Sequence, residues 1–257
     1  MTVVCPLASG SKGNAIYVAS KNTKILFDAG ISARVLRQRL LEIGVQLEEI
    51  QAIVVSHEHS DHIAGLKTLT CKLGIPILAN AQTAEAIVEE LQECPKCKIF
   101  TSGEPFEFGD LEILPFAVRH DAIEPVAFRV SAGDQTLAIC TDLGFVTNTV
   151  RHHLKDCDLL IVEANHTPSM VHASSRPQVY KQRVLSKVGH LSNEDCAQLL
   201  LDVASPKLKK VFLAHLSTEC NTPEAALRTV QETLQKYSIS LPISIAKQDT
   251  NSDCIRF

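Results

Sequence analysis

The chain has 257 residues, 45% of them hydrophobic and 21% charged, with a formal net charge of −4, a balance typical of globular proteins rather than disordered or membrane-embedded ones. Slight acidity argues against a generally basic nucleic-acid binder, and no tryptophan with only three tyrosines leaves no obvious platform for stacking bases. No apolar run reaches the roughly 20 residues of a membrane span, Met1 to Pro6 lacks a signal-peptide pattern, and nine cysteines scattered from Cys5 to Cys254 form no disulfide framework, so a reducing, cytoplasmic setting is expected.

Residues 9–14 are rich in small side chains, which suits either a tight turn or a loop whose amides approach a phosphate. Residues 15–19 and 24–27 read as paired strands, and Ser32 can cap a helix whose Val35, Leu36, Arg39, Leu40 and Ile43 share one face before Gly44. A β-branched strand over residues 50–55 then delivers the densest polar stretch of the chain, His57-Glu58-His59-Ser60-Asp61-His62. His57 and His59, two apart, point to one side of an extended loop, while Asp61 and His62 follow on the next turn and can face a second ion. Two adjacent metals are the natural reading of that spacing.

A helix over residues 62–73, a strand over 75–79 and a helix capped by Thr83 and running to Leu91 are expected next. Cys94 and Cys97 lack a second Cys-x-x-Cys and read as an incidental surface pair. Strict alternation broken by Gly109-Asp110 predicts a hairpin over residues 106–113. Strands near residues 127–130, 137–141, 159–163 and 211–215 alternate with helices near 147–154, 193–204 and 223–237, which suggests two facing sheets with helices outside. Residues 169–187 have no clear period and read as a functional loop or lid. Arg176, Lys181, Arg183 and Lys187 within it are either solvated charges or phosphate contacts. Asp28, His120, Asp142 and His215 each follow an apolar run and so sit at a strand's end.

The His-x-His-x-Asp-His order resembles the metallo-β-lactamase superfamily, and the ends of those four runs fall where its further residues are expected. Leu7-Ala8-Ser9-Gly10-Ser11-Lys12-Gly13-Asn14, Glu163-Ala164-Asn165-His166 and Gly189-His190-Leu191-Ser192-Asn193-Glu194-Asp195 resemble the YycJ/WalJ branch over nearly the whole chain. The resemblance implies one domain over residues 1–257 with an α/β fold, the four-layer αββα sandwich, and metals at one edge between the sheets. His57, His59 and His120 would hold one divalent ion, Asp61, His62 and His215 the other, and Asp142 would bridge them. Zinc and manganese are the metals expected. Asp28 would lie buried beneath the ligand loop and orient it, although a turn aspartate before Gly30 is the plainer reading.

In ribonuclease Z the elements corresponding to Glu163 and His190 are a glutamate in His-Glu-Ala-Thr and a histidine in Gly-His-Ser. Val162 replaces the leading histidine here, so only the glutamate carries over. Glu163 orienting His190 as general acid, beside Asp61 at the metals, forms the expected catalytic set. Ser192 with Asp195 also makes a capping pattern, so His190 could simply precede a helix. His166 matches the branch, but Thr167 stands where its aspartate is expected, leaving a loop histidine or a substrate contact. The activity implied is a metal-dependent phosphodiester hydrolase that cuts DNA from its 5′ end with metal-bound hydroxide as nucleophile. Alternatives are a small-molecule hydrolase of the same fold, acting on a cyclic phosphodiester, thioester or lactone, and a non-catalytic scaffold. No ligand is missing, as a scaffold would require, and Asp61 stands where many β-lactamases carry cysteine. The chain is too short for an inserted β-CASP domain.

Overall fold

The computed structural model describes residues 1–257. Alternating apolar residues build two seven-stranded sheets that face each other. The first holds β1 (Val3–Ala8), β2 (Ala15–Ala19), β3 (Lys24–Phe27), β4 (Ala52–Val54), β5 (Ile77–Ala79) and β6 (Cys97–Ile99). The second holds β7 (Phe106–Phe108), β8 (Leu111–Ala117), β9 (Val126–Ala132), β10 (Gln135–Cys140), β11 (Leu159–Glu163), β12 (Lys210–Ala214) and β13 (Ile243–Ile245). A last strand, β14 (Ile255–Arg256), returns to the first sheet beside β1. Pairing is antiparallel from β14 through β3 and from β7 through β10, and parallel from β3 to β6 and from β10 to β13. The expected hairpin at Gly109-Asp110 joins β7 to β8.

Successive side chains of a strand face opposite ways, so each strand feeds two cores. Ile25, Phe27, Ile139 and Ile161 enter the layer between the sheets, where Phe27 and Phe128 meet with ring centroids 5.0 Å apart. Leu26 and Ile53 instead face α1 (Ala33–Glu42) and, beyond the short α2 (Ser60–Ile63), α3 (Ala81–Leu91). On the other side Cys140, Leu160 and Val162 pack under α4 (Asn148–Leu154). Two short helices follow, α5 (Pro168–Ala173) and α6 (Gln178–Val184), before α7 (Asn193–Val203) and α8 (Pro223–Lys236) complete that outer layer. This is the expected αββα order. No helix is long and apolar enough to cross a membrane.

Several local expectations change. Residues 62–73 do not form one helix: α2 stops at Ile63, and a π-helical turn covers Lys67–Lys72. Gly65 explains the break, because its amide donates to Ala29 and a Cβ there would come within 2.3 Å of the Ile31 carbonyl. Asn80, not Thr83, caps α3, its Oδ1 accepting from the Thr83 amide at 2.8 Å. Residues 169–187 are largely helical, with α5 and α6 pinned by a small cluster of Val171, Val184 and Cys220. Cys5 and Cys254 are joined as a disulfide, contrary to the reading of unpaired cysteines, because antiparallel pairing of β1 with β14 sets them side by side. Arg39, counted on the apolar stripe of α1, is buried and donates to the carbonyls of Leu7 and Gln248.

Three segments meet at Gly30. Its amide donates to the Asn14 carbonyl, and the Asn14 amide donates to that of Asp61 at 2.8 Å. A Cβ on Gly30 would lie 1.6 Å from the Asp61 carbonyl oxygen, which belongs to backbone and has no rotamer to yield. Gly30→Ala is therefore expected to destabilise the fold by at least about 2 kcal/mol in chemical denaturation. An unchanged midpoint would show that the ligand loop shifts freely against β3.

Candidate metal centre

The ligand-type residues occupy the carboxyl ends of strands, where open α/β sheets leave their crevice. Asp28 follows β3, the 57–62 loop follows β4, His120 follows β8, Asp142 follows β10, Glu163 ends β11 and His215 follows β12. Asp28, Asp142 and His215 have φ values of 60°, 57° and 57°. Each costs of order 1–3 kcal/mol for a residue with a Cβ, and such outliers concentrate at functional sites. The left-handed turn is what lets a residue leaving a strand aim its side chain across the sheet ends.

Donor atoms within 4.8 Å of one another form three sets relevant to a metal: His57, His59 and His120; His57, His62 and Asp142; and Asp61, His62 and His215. Asp142 stands between them, with Oδ2 3.1 Å from His62 Nε2 and Oδ1 3.7 Å from His120 Nε2. His57, His59 and His120 fall in one set, Asp61, His62 and His215 in another, and His57, His62 and Asp142 overlap both.

Proton placement shows which nitrogens are left. Asp28 accepts from the Ser56 amide at 2.8 Å and from the Ser56 hydroxyl at 2.9 Å, so the hydroxyl has only lone pairs to offer His57 Nδ1 at 2.9 Å. His62 Nδ1 donates to Asp28 at 2.8 Å, His120 Nδ1 to the Gly189 carbonyl at 3.0 Å, and His215 Nδ1 to Glu163 at 2.9 Å. In its neutral form each ring then keeps a lone pair on Nε2, as metal-ligating histidines do. His57 Nε2 and Asp142 Oδ2 are buried without a hydrogen-bond partner. Buried lone pairs facing one another cost energy unless a cation lies among them, so these residues fit a divalent metal.

Charge agrees. Burial opposes imidazolium at His62 and His215, yet adjacent carboxylates, Asp142 foremost, hold both well above the usual histidine range. Burial would also raise Asp142, but His215 and His62 keep it well below the carboxylate range. At His57, burial and the neighbouring His62 push the value down instead. The centre calls for positive charge and has one nitrogen that resists a proton.

Glu163 is fully buried. Burial alone would raise it, but His190 and His215 bring it down to about 2. Its Oε1 accepts from His190 Nδ1 at 2.8 Å and from His215 Nδ1, while Oε2 accepts from the amides of Leu143 and Leu191. Glu163 and His190 also approach Asp142 and His215 at ligand distances, but with its oxygens committed to four donors the glutamate has nothing left for an ion. The expected pairing with His190 is present; the partnership with His215 is additional. Ser192 caps α7 as well, accepting from the Asp195 amide at 3.0 Å.

His120, His190, His215, Asp61 and Asp142 line a cleft of about 290 Å³ with Ser11, Ser217, Tyr180, Arg176 and Arg183. Arg176 pairs with Glu219, and Arg183 with Asp121, whose other oxygen lies 3.4 Å from His120 Nε2. Lys181 does not line the cleft and donates to the His172 carbonyl at 2.7 Å. His166 is buried away from it, its Nδ1 unpartnered, and burial lowers its pKa to about 4. In the 9–14 loop, read from sequence as a tight turn or a phosphate-approaching loop, Ser9 accepts from the His215 amide at 2.8 Å and the Asn14 side-chain amide sits 3.3 Å from Asp61 Oδ2. Neither contact with the centre was assigned from the sequence.

Asp28 meets three donors with two oxygens, and asparagine would leave one acceptor and turn an NH2 toward the rest. Asp28→Asn is expected to weaken metal affinity about 10–100-fold in competition with a fluorescent chelator. Unchanged affinity would reduce Asp28 to a turn residue.

A family model described as beta-lactamase superfamily domain matches residues 23–215. Exodeoxyribonuclease WalJ of Streptococcus pneumoniae is 35% identical over 251 residues, covering 96% of this chain and 93% of that protein. Exodeoxyribonuclease YycJ of Bacillus anthracis is 35% identical over 247 residues, covering 95% and 94%. Among solved structures, the metallo-beta-lactamase fold protein YhfI from Bacillus subtilis superposes with a TM-score of 0.71 at 18% identity, over 98% of both chains. From strand ends to ligand order and near full-length identity, the chain belongs to the metallo-β-lactamase superfamily, in the branch that holds WalJ and YycJ.

Proposed function

We propose that the protein is a metal-dependent phosphodiester hydrolase that removes nucleotides from the 5′ end of DNA in the cytoplasm. The observation that carries the reading is the buried Glu163 holding His190 Nδ1 at 2.8 Å beside the metal donors, which leaves the other ring nitrogen for the cleft. Hydrolysis of a phosphodiester by this route needs a proton for a departing alkoxide, whereas the thiolate that leaves a thioester needs none. The relatives' names supply DNA as substrate, and the 5′ polarity rests on the branch resemblance.

Two divalent ions, zinc or manganese, with His57, His59 and His120 around one, Asp61, His62 and His215 around the other, and Asp142 between, would activate water and neutralise charge on the phosphoryl group. The protein's own groups do the rest. Water loses one proton to solvent and forms the new bond to phosphorus, the bond to the leaving oxygen breaks, and His190 gives that oxygen its proton. Glu163 orients the ring by accepting from its Nδ1. Arg176 and Arg183 can turn toward phosphate at little cost, since exposed ion pairs such as theirs contribute little to stability. Lys181 and His166 have no such part in this reading.

His190→Ala is expected to keep the fold and metal content while lowering turnover of DNA about 10²–10⁴-fold. A nitrophenyl phosphodiester, whose leaving group departs without a proton, should recover most of that loss. Glu163→Gln should lose metal as well as rate, since it also supports His215. Should the nitrophenyl ester show the full His190 defect with metals intact, proton donation is excluded. For substrate class, end-labelled DNA should shorten from the 5′ end with zinc or manganese and stay intact with chelator; intact DNA alongside hydrolysis of a β-lactam or thioester would favour the small-molecule alternative.

A further inference from the structure

Between β13 and β14 the chain crosses from the second sheet back to the first, at the edge where the metal-type donors gather, and its backbone is braced on the way. The Ala246 amide donates to the Leu213 carbonyl at 2.8 Å, the Lys247 carbonyl accepts from the Ser9 amide at 3.0 Å, and the Gln248 carbonyl accepts from Arg39 at 3.1 Å. Farther along, Asn251 donates to the Arg39 carbonyl at 2.9 Å and the Ser252 amide to that of Pro6 at 3.0 Å.

From this fixed backbone Gln248 presents its side-chain amide to the 9–14 loop. Its Oε1 accepts from the Lys12 amide at 3.0 Å, and its Nε2 donates to the Gly13 carbonyl at 3.1 Å. One planar amide thus satisfies a donor and an acceptor of consecutive loop residues, as a neighbouring strand would. The approach is close: a Cβ on Gly10 would lie 2.3 Å from Gln248 Oε1.

The far side of the same loop meets the metal centre. Asn14 Oδ1 accepts from the Gly10 amide at 2.9 Å, which fixes the way that side chain faces. Its Nδ2 therefore points inward, 3.3 Å from Asp61 Oδ2 and 3.1 Å from His62 Nε2, while Ser9 accepts from the His215 amide. Asp61, His62 and His215 form one of the donor sets. His57, His59 and His120 receive no hydrogen bond from this loop or from the crossing; their partners lie at Ser56, Gly189 and one another.

We propose that Gln248 is a positioning residue for the ion at Asp61, His62 and His215, acting through the Lys12 and Gly13 backbone on Asn14. The inference rests on the two-ion reading and adds to it a support outside the cleft that serves one ion and not the other. Gly10 and Gly13, at φ 145° and 146°, leave the loop many conformations. Without the Gln248 amide the loop must be ordered when the ion binds, and that ordering is taken out of affinity.

The test titrates the full chain with zinc by calorimetry and with manganese by electron paramagnetic resonance. Wild type is expected to bind two ions and to give the spectrum of a coupled manganese pair. Gln248→Ala is expected to weaken one ion about 10-fold, the low end for outer partners of metal ligands. The other ion and the urea midpoint should stay near wild type, so that intermediate manganese gives a single-ion spectrum. Asn14→Ala should weaken the same ion about 10–100-fold. The double variant should lose no more than Asn14→Ala alone, because residues acting in series are not additive. Two unchanged affinities in Gln248→Ala, a loss shared by both ions with a lowered urea midpoint, or additive losses in the double variant would overturn the positioning role. Wild-type protein that binds a single ion at saturation would instead overturn the two-ion reading, and this inference with it.

Discussion

Three carboxylates, Asp28, Asp142 and Glu163, are buried at the ends of β3, β10 and β11, and the rest of the site follows from what buried charge demands. A carboxylate withdrawn from water costs several kcal/mol unless it is paired and hydrogen-bonded. Asp28 and Glu163 meet that demand with backbone amides and histidine Nδ1–H groups. In doing so they fix the rings of His62, His190 and His215. Asp142 is different: one of its oxygens has no partner and faces nitrogens whose protons are committed elsewhere. The same pairing that satisfies two acids leaves the third in need of a cation.

The fold supplies this arrangement at a cost. Parallel strands from both sheets end on one edge, so residues far apart in sequence converge there. Three of them adopt left-handed backbone conformations, and Gly30 and Gly65 allow backbone contacts that no Cβ would permit. Cores on both faces of each sheet give enough burial to hold strained turns in place. The metal-type donors at the strand ends are nearly all buried, while Arg176 and Arg183 remain exposed in ion pairs that water already weakens.

Much of this was legible in the sequence because polar residues at strand ends leave two marks at once, an apolar run and a polar residue that terminates it. Asp28, His120, Asp142 and His215 all carried that mark, and the 57–62 loop carried ligand spacing besides. The misses share a different cause. β13 and β14 are only three and two residues long, too short for a period to register, and α5 and α6 have six and seven residues, barely two turns each. The Cys5–Cys254 pair spans 249 residues, so only the β1–β14 register reveals it. Glu163's second partner is a product of tertiary placement, which spacing along the chain does not encode.

Anomalous diffraction from crystals grown with zinc or manganese would test the metal centre most directly. Two peaks roughly 3.5–4 Å apart are expected, one within bonding distance of His57, His59 and His120, the other of Asp61, His62 and His215, with Asp142 touching both. A single peak, or one lodged between Glu163 and His190, would contradict the account, because it would turn the residue assigned to proton transfer into a ligand.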